Sequence, residues 1–339
     1  MAATPAAIAV AMAAAATAAA AAAATAAATL PGATSTSAVN VMTGGQRRRA
    51  RATPWARACL LALAAAPTGV MSGTLDDLSP AWLSQCTGVY FDIGTNVGVQ
   101  IRKLYEPHLY PGAPVLSLFD ETFGKRRDGV CAIGIEPNPD HAPRLEALEK
   151  GYAARVWNVV VLTSAAASNA HGALEFTHEG ANPVRGDGTR DKELSNRASA
   201  FGSRVPGGSS YTVQGIDLPH LVKTVTHRVR RHHADGGGSS ADADAPKFAM
   251  KMDIEGGEEI VIPALVVSGA LCELDVAFIE FHGFFGAVPT PTNINFEDQL
   301  PKLISSYPHC RVRIVAMDDE TYNDDEQPLP RMGAGLLRA

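Results

Sequence analysis

The chain is predicted to fold as an α/β protein whose mostly parallel sheet carries helices on both faces. Three observations predict it. Buried-strand runs alternate with amphipathic stretches from about residue 76 onward. The glycine-rich and acidic motifs follow directly after strands, where ligands bind in such sheets. About 260 residues remain once a biased leader is set aside, which suits one α/β domain with insertions.

That leader spans residues 1–75. Its first 41 residues carry no charged side chain and are dominated by alanine, which helps a helix but has little surface to bury. Arg47, Arg48, Arg49, Arg51 and Arg57 then precede the apolar run Cys59–Ala66 and Pro67-Thr68-Gly69. A basic region, a short apolar region and small residues describe a secretory signal, and initiation at Met42 would place it at the N-terminus. The secretory lumen is therefore expected, with an Arg-rich, acid-free organellar transit peptide as the alternative. The apolar run is too short to span a bilayer comfortably, which leaves membrane association open.

Removing residues 1–71 leaves 24 basic against 35 acidic side chains, a net −11. An acidic body argues against nucleic acid as the main partner. Five cysteines show no metal-binding spacing and read as packing residues, without excluding a disulfide in a lumenal compartment.

The domain is placed at 76–325, followed by a tail at 326–339. Residues 88–93 read as a strand, and 96–104 as a helix with Val97, Ile101 and Leu104 on one face. The mixture of Pro, Gly and charge over 109–129 reads as a surface insertion. Residues 130–135 form a second strand. Pro139 then opens a helix that carries Leu145 and Leu148. A third strand covers 156–162, and 172–177 suggest an antiparallel one. Residues 179–210 read as a long loop, 211–215 as a strand and 218–230 as a helix. The insert at 235–245 is of low complexity, with His232 and His233 at its edge. Strands at 248–253, 274–281 and 310–316 alternate with helices at 260–267 and 296–306.

The candidate site residues stand at strand ends. Tyr90-Phe-Asp-Ile-Gly-Thr-Asn-Val-Gly98 carries a strand into a tight turn and a helix start. Asp92 puts negative charge where a dinucleotide's diphosphate would sit, so a cofactor with a cationic end fits better. The pattern Gly-x-Gly-x-x-Gly is absent, because Asn96 follows Gly94 where its middle glycine would stand. Asp92 can take a ligand ammonium group, and Asn96 offers both donor and acceptor. Glu136 has two oxygens that match the adjacent hydroxyls of a ribose, or it flanks a helix as a surface acid. Asp253 and Glu255 would share one face of extended backbone, where one could take a proton and the other orient the attacking group. Glu255 and Glu258 could instead favour a helix N-terminus. His282 is either a general base or a polar residue at the sheet edge.

The order Phe-Asp-Ile-Gly-Thr-Asn-Val-Gly, Ile-Glu-Pro-Asn-Pro, Lys-Met-Asp-Ile-Glu-Gly-Gly-Glu and Phe-Ile-Glu-Phe-His resembles the FkbM-type S-adenosylmethionine-dependent methyltransferases over residues 85–285. The resemblance implies a Rossmann-like class I methyltransferase fold with a terminal antiparallel strand, and S-adenosyl-L-methionine as cofactor. It implies that Asp92, Gly94, Asn96 and Gly98 surround the methionine end, that Glu136 holds the ribose, and that Asp253 and Glu255 lie beside the transferring methyl. Thr95 departs from the family's small alanine, and no adenine-contacting pair follows the third strand. The implied reaction is O-methylation of a hydroxyl on a glycan or small molecule, and a sugar hydroxyl is the expected acceptor. Three alternatives stand beside it: a nicotinamide-dependent oxidoreductase, a non-catalytic cofactor-binding module, and a metal-assisted methyltransferase with Asp253, Glu255 and His282 as ligands.

Overall fold

A computed structural model describes residues 78–178, 198–199, 209–236, 245–282, 296–319 and 327–330. The leader, nearly all of the 179–210 loop, most of the 235–245 insert and the end of the tail lie outside the described residues. The strands are β1 (Gly88–Ile93), β2 (Val130–Glu136), β3 (Val159–Thr163), β4 (Ala165–Ser168), β5 (Gly172–His178), β6 (Ala198–Ser199), β7 (Ser209–Asp217), β8 (Lys247–Met252), β9 (Val276–Ile279) and β10 (Arg313–Ala316). The helices are α1 (Pro80–Leu83), α2 (Val99–Tyr105), α3 (Val115–Phe123), α4 (Ala142–Ala153), α5 (Leu218–Asp235), α6 (Glu258–Ser268) and α7 (Phe296–Ser305).

Six strands make one sheet in the order β10-β9-β8-β1-β2-β3, and every pairing is parallel. This is an α/β fold of Rossmann-like architecture. Every residue of β1 and β2 is buried, as a strand covered on both faces requires. Side chains alternate between two cores. Val89, Phe91 and Ile93 pack with Leu221 and Val225 of α5, Leu265 of α6 and Leu300 of α7. Tyr90 points the other way, toward Ile101 of α2, Phe119 of α3 and Leu148 of α4.

The chain order reverses direction across β1, with β8 on one side and β2 on the other. Such a switch point opens a crevice at the strands' carboxyl ends. A second sheet, β4-β7-β5-β6, stands beside it. The expected antiparallel strand is β5, which pairs antiparallel with β7.

Four expectations are corrected. The 109–129 segment is not a surface insertion, because it contains α3. Phe119 there is fully buried, with its ring centroid 5.0 Å from Tyr90 and 6.0 Å from Phe278. Burial of such a ring contributes roughly 2–3 kcal/mol. No terminal antiparallel strand occurs among the described residues of the main sheet, since β10 pairs parallel to β9. The helix after β1 begins at Val99 rather than Asn96, because Asn96 and Gly98 both adopt positive φ.

The fourth correction concerns cysteine. Cys86 bonds Cys131 and Cys272 bonds Cys310, where packing was the favoured reading and a lumenal disulfide the one left open. The first bridge ties the segment before β1 to β2, and the second ties the turn after α6 to the segment before β10. Residues 327–330 also lie on the body. Arg102 donates to the carbonyls of Gln327 (2.9 Å) and Pro328 (3.1 Å).

Peptide mapping without reductant is expected to recover 86–131 and 272–310 as linked pairs. Closing a 45-residue separation is worth about 4 kcal/mol in a chain-entropy account. Cys86→Ser with Cys131→Ser should therefore lower the unfolding free energy by roughly 2–4 kcal/mol in urea. Four free thiols at these positions would refute the pairing.

Candidate functional site

The site starts from a turn that only glycine can make. After β1, the amides of Gly94 and Thr95 both donate to the Ile135 carbonyl at 3.1 Å, which holds the turn against β2. Gly94 has φ +82°, and a Cβ there would stand 1.8 Å from the Asp253 carbonyl oxygen. Thr95, the larger residue at the alanine position, fits because Gly134 opposite it has no side chain, and its hydroxyl donates to the Asp92 carbonyl. Gly98 packs against Leu148 and Leu145, so its role is to let α4 approach rather than to touch a ligand.

Glu136 at the end of β2 is buried and joins two turns. Its Oε2 accepts from the Asn96 amide (2.6 Å), and its Oε1 accepts from the Asn138 amide (2.8 Å). The Nδ1 of His141 lies 3.3 Å from Oε1. A carboxylate offers about four acceptor positions, so capacity remains for a ligand's hydroxyls.

Beneath the turn lies Lys251, which sequence reasoning passed over. Asp92 is fully buried and stands opposite Lys251 in the β1–β8 register. Lys251 Nζ donates to the Gly94 carbonyl (2.9 Å) and to Asp253 Oδ2 (2.8 Å). Burial works against the lysine's charge, but Asp253 and Asp92 outweigh it and raise its pKa above the ordinary value. Burial pushes the Asp92 carboxyl from 3.8 up to about 6, against the opposing pull of Lys251 and the Tyr90 hydroxyl. The Tyr90 hydroxyl donates to its Oδ1 at 3.1 Å. Asp92 thus supports the turn from below and does not line the cleft. The signal available in sequence was a lysine two residues before Asp253, on the same strand face.

After β8 the chain does not stay extended. Glu255 takes φ 53° and Gly256 φ 92°, so Asp253 and Glu255 converge through a turn rather than through the pleat. Glu258 locks that turn: its carboxylate accepts from the amides of Ile254 (2.7 Å) and Gly256 (2.8 Å). His282 follows β9 and is surrounded by carboxylates. Its Nδ1 lies 3.1 Å from Glu258, and its Nε2 lies 3.3 Å from Glu280, 3.6 Å from Glu255 and 3.7 Å from Asp253. Burial would lower its pKa, but hydrogen bonds to Glu258 and Glu280 and the nearby charges hold it up to about 11. In this environment the imidazole keeps its proton at neutral pH and anchors acids, which does not suit it to serve as a neutral-pH base.

The cleft above these turns is open to solvent and lies between the strand ends of the main sheet and the second sheet. Gly94, Asn96, Glu136, Asp253 and Glu255 line it, and no Lys, Arg or His does so among the described residues. Ala166, Ser168, Leu174 and Phe176 of the second sheet, with Ile260 and Val261 of α6, form a largely apolar wall. Sequence reasoning missed this wall, because Ala165–Ser168 carries almost no strand signal. Three carboxylates around a glycine turn favour a cationic ligand and oppose a diphosphate. Searches of protein-family models, curated proteins and solved structures find no match for the chain.

Lys251→Met leaves the buried Asp92 and the half-buried Asp253 without their shared cation, and should cost roughly 3–5 kcal/mol in urea unfolding at pH 7. A cost below about 1 kcal/mol would remove the lysine from this role. A second expectation follows from Asp92. Its folded carboxyl titrates at about 6 and its unfolded one at 3.8. Its contribution is therefore full below about pH 4 and is lost as pH rises through 6, on the order of 2–3 kcal/mol. In Asp92→Asn, stability should fall less between pH 4 and 7 than in the parent. Parallel pH profiles for the two proteins would contradict this.

Proposed function

We propose that the protein is an S-adenosylmethionine-dependent O-methyltransferase that acts on a hydroxyl of a sugar or small natural product. The observation that carries this reading is the sign of the cleft: Glu136, Asp253 and Glu255 line it without a cationic side chain among the described residues. A ligand with a sulfonium and an ammonium group suits such a wall. A nicotinamide dinucleotide does not, because its diphosphate would face carboxylates.

The residues fit the cofactor in further respects. Asn96 Oδ1 is buried and accepts no hydrogen bond, so a donor from the ligand would satisfy it. Glu136 has acceptor capacity left for ribose hydroxyls, and the wall of Leu174, Phe176 and Ile260 is apolar surface available to a base. When bound, the cofactor supplies a methyl carbon on a positively charged sulfur, open to in-line attack. Asp253 and Glu255 would stand beside the acceptor, where a carboxylate takes the hydroxyl proton as the new C–O bond forms. Positioning supplies most of the remainder. Two disulfides support an oxidising compartment, in keeping with the expected secretory lumen. No helix among the described residues is long and apolar enough to cross a membrane.

Titration calorimetry with S-adenosylhomocysteine should detect one site per chain. Glu136→Ala should weaken it at least about tenfold, as loss of charge-assisted hydrogen bonds predicts. Methyl transfer to a panel of glycans then tests the acceptor. An intact protein that binds neither S-adenosylmethionine nor its product would end the proposal.

A further inference from the structure

We propose that Asp253, Glu255 and His282 form a binding site for a divalent cation of the Mg²⁺/Mn²⁺ class on the wall of the cleft. One ligand atom from each lies within 4.8 Å of the others. His282 Nε2 stands 3.7 Å from Asp253 Oδ1 and 3.6 Å from Glu255 Oε2. Ligands of an octahedral ion at about 2.0–2.1 Å stand about 3 Å apart when adjacent and about 4 Å apart when opposite. The three donors therefore need only small side-chain movements to close on a cation.

The imidazole is also held as metal-binding histidines are held. Its Nδ1 faces Glu258 at 3.1 Å, which leaves Nε2 directed at the two carboxylates. Glu258 is buried, and two backbone amides fix it in turn. A carboxylate behind a histidine that sets its tautomer and ring orientation is the usual outer support of a metal ligand. Glu280 also faces Nε2, at 3.3 Å, and cation binding would break that contact.

The donor set selects the ion class. One nitrogen with two carboxylate oxygens and no sulfur leaves out soft, thiolate-seeking ions, and its oxygen-rich character admits a hard cation such as Mg²⁺ or Mn²⁺. Cys86, Cys131, Cys272 and Cys310 are all bound in disulfides. Cation binding displaces the Nε2 proton to solvent. The donors come from only two segments, the turn after β8 and the residues after β9, so positions toward the cleft stay open for an oxygen ligand. The site stands on these donors alone. Its use rests on the methyltransferase reading: with Asp253 and Glu255 engaged as ligands, the cation would hold the acceptor hydroxyl and lower its pKa, and the proton would leave to solvent instead of to a free carboxylate.

The test uses the full chain, stripped with chelator and free of cofactor. Mn²⁺ titrated into it and followed by electron paramagnetic resonance should fill one site, and electron spin echo modulation should show coupling to one imidazole nitrogen. His282→Ala should remove that coupling and weaken Mn²⁺ at least about tenfold. Glu258→Gln should weaken it about 10–100-fold with the coupling retained. Glu255→Gln, a substitution at a partly exposed side chain, should weaken Mn²⁺ without loss of the folded circular dichroism spectrum. No stoichiometric Mn²⁺ at millimolar concentration, or Mn²⁺ bound without nitrogen coupling, overturns the site. Calorimetry with S-adenosylhomocysteine on the same metal-free protein separates the two claims. S-adenosylhomocysteine bound without Mn²⁺ binding removes the metal site alone, and Mn²⁺ bound without S-adenosylhomocysteine binding removes the methyltransferase reading alone.

Discussion

One buried ammonium group holds the centre of this molecule. Lys251 Nζ lies between the Gly94 carbonyl and Asp253, beside Asp92. To bury an ammonium costs several kcal/mol, and two acids with one carbonyl offset that cost only if they stay in place. They stay because β1 and β8 are in register along their whole length, which puts residue 92 beside residue 251. The lysine then draws the turn after β1 toward the turn after β8. That approach is so close that a Cβ on Gly94 would meet the Asp253 carbonyl. The central charge, the strand register and the glycine are three aspects of one constraint.

The two turns on either side are built alike. In each, a buried acid accepts two backbone amides: Glu136 from Asn96 and Asn138, Glu258 from Ile254 and Gly256. Charge-assisted bonds to backbone amides are strong, and they order loops that would otherwise be mobile. The acids differ in what else they face. Glu136 lines the cleft and keeps capacity for a ligand, whereas Glu258 faces His282 from behind. A substitution at Glu136 therefore disturbs structure and binding together, and conservative variants are needed to separate the two.

Much of the sheet was legible because buried parallel strands read as continuous apolar runs. β1 and β2 agree with expectation at their starts and, within a residue, at their ends. The motif residues were legible because a parallel sheet presents its strand ends on one edge. Other features carry weaker local signals. Val115, Leu118 and Phe119 form a helical stripe, but the prolines and glycines around them masked it. Disulfide partners lie 45 and 38 residues apart, and spacing does not encode which cysteines meet. Lys251 looked like an ordinary strand residue, because its partner Asp92 lies on another strand and only register brings them together. Asp92 itself was expected to touch the ligand. The register places it under the turn, where it supports the groups that line the cleft.

The backbone adds a separate argument for the cleft as a working site. Four non-glycine residues among those described have positive φ: Asn96, Val156, Ser164 and Glu255. Such a conformation costs on the order of 1 kcal/mol, and glycine would relieve it. Val156 closes an exposed turn and Ser164 joins β3 to β4, so positive φ alone does not mark function. Asn96 and Glu255 are different, because both line the cleft, on opposite sides of the Gly94–Asp253 contact. At each, the chain keeps a polar side chain where glycine would sit more easily. Strain retained for a side chain that faces a cleft is best explained by what the side chain binds. Under the proposed function, the ligand would supply a donor to the buried Asn96 oxygen, and Glu255, held beside His282, would face a positive charge.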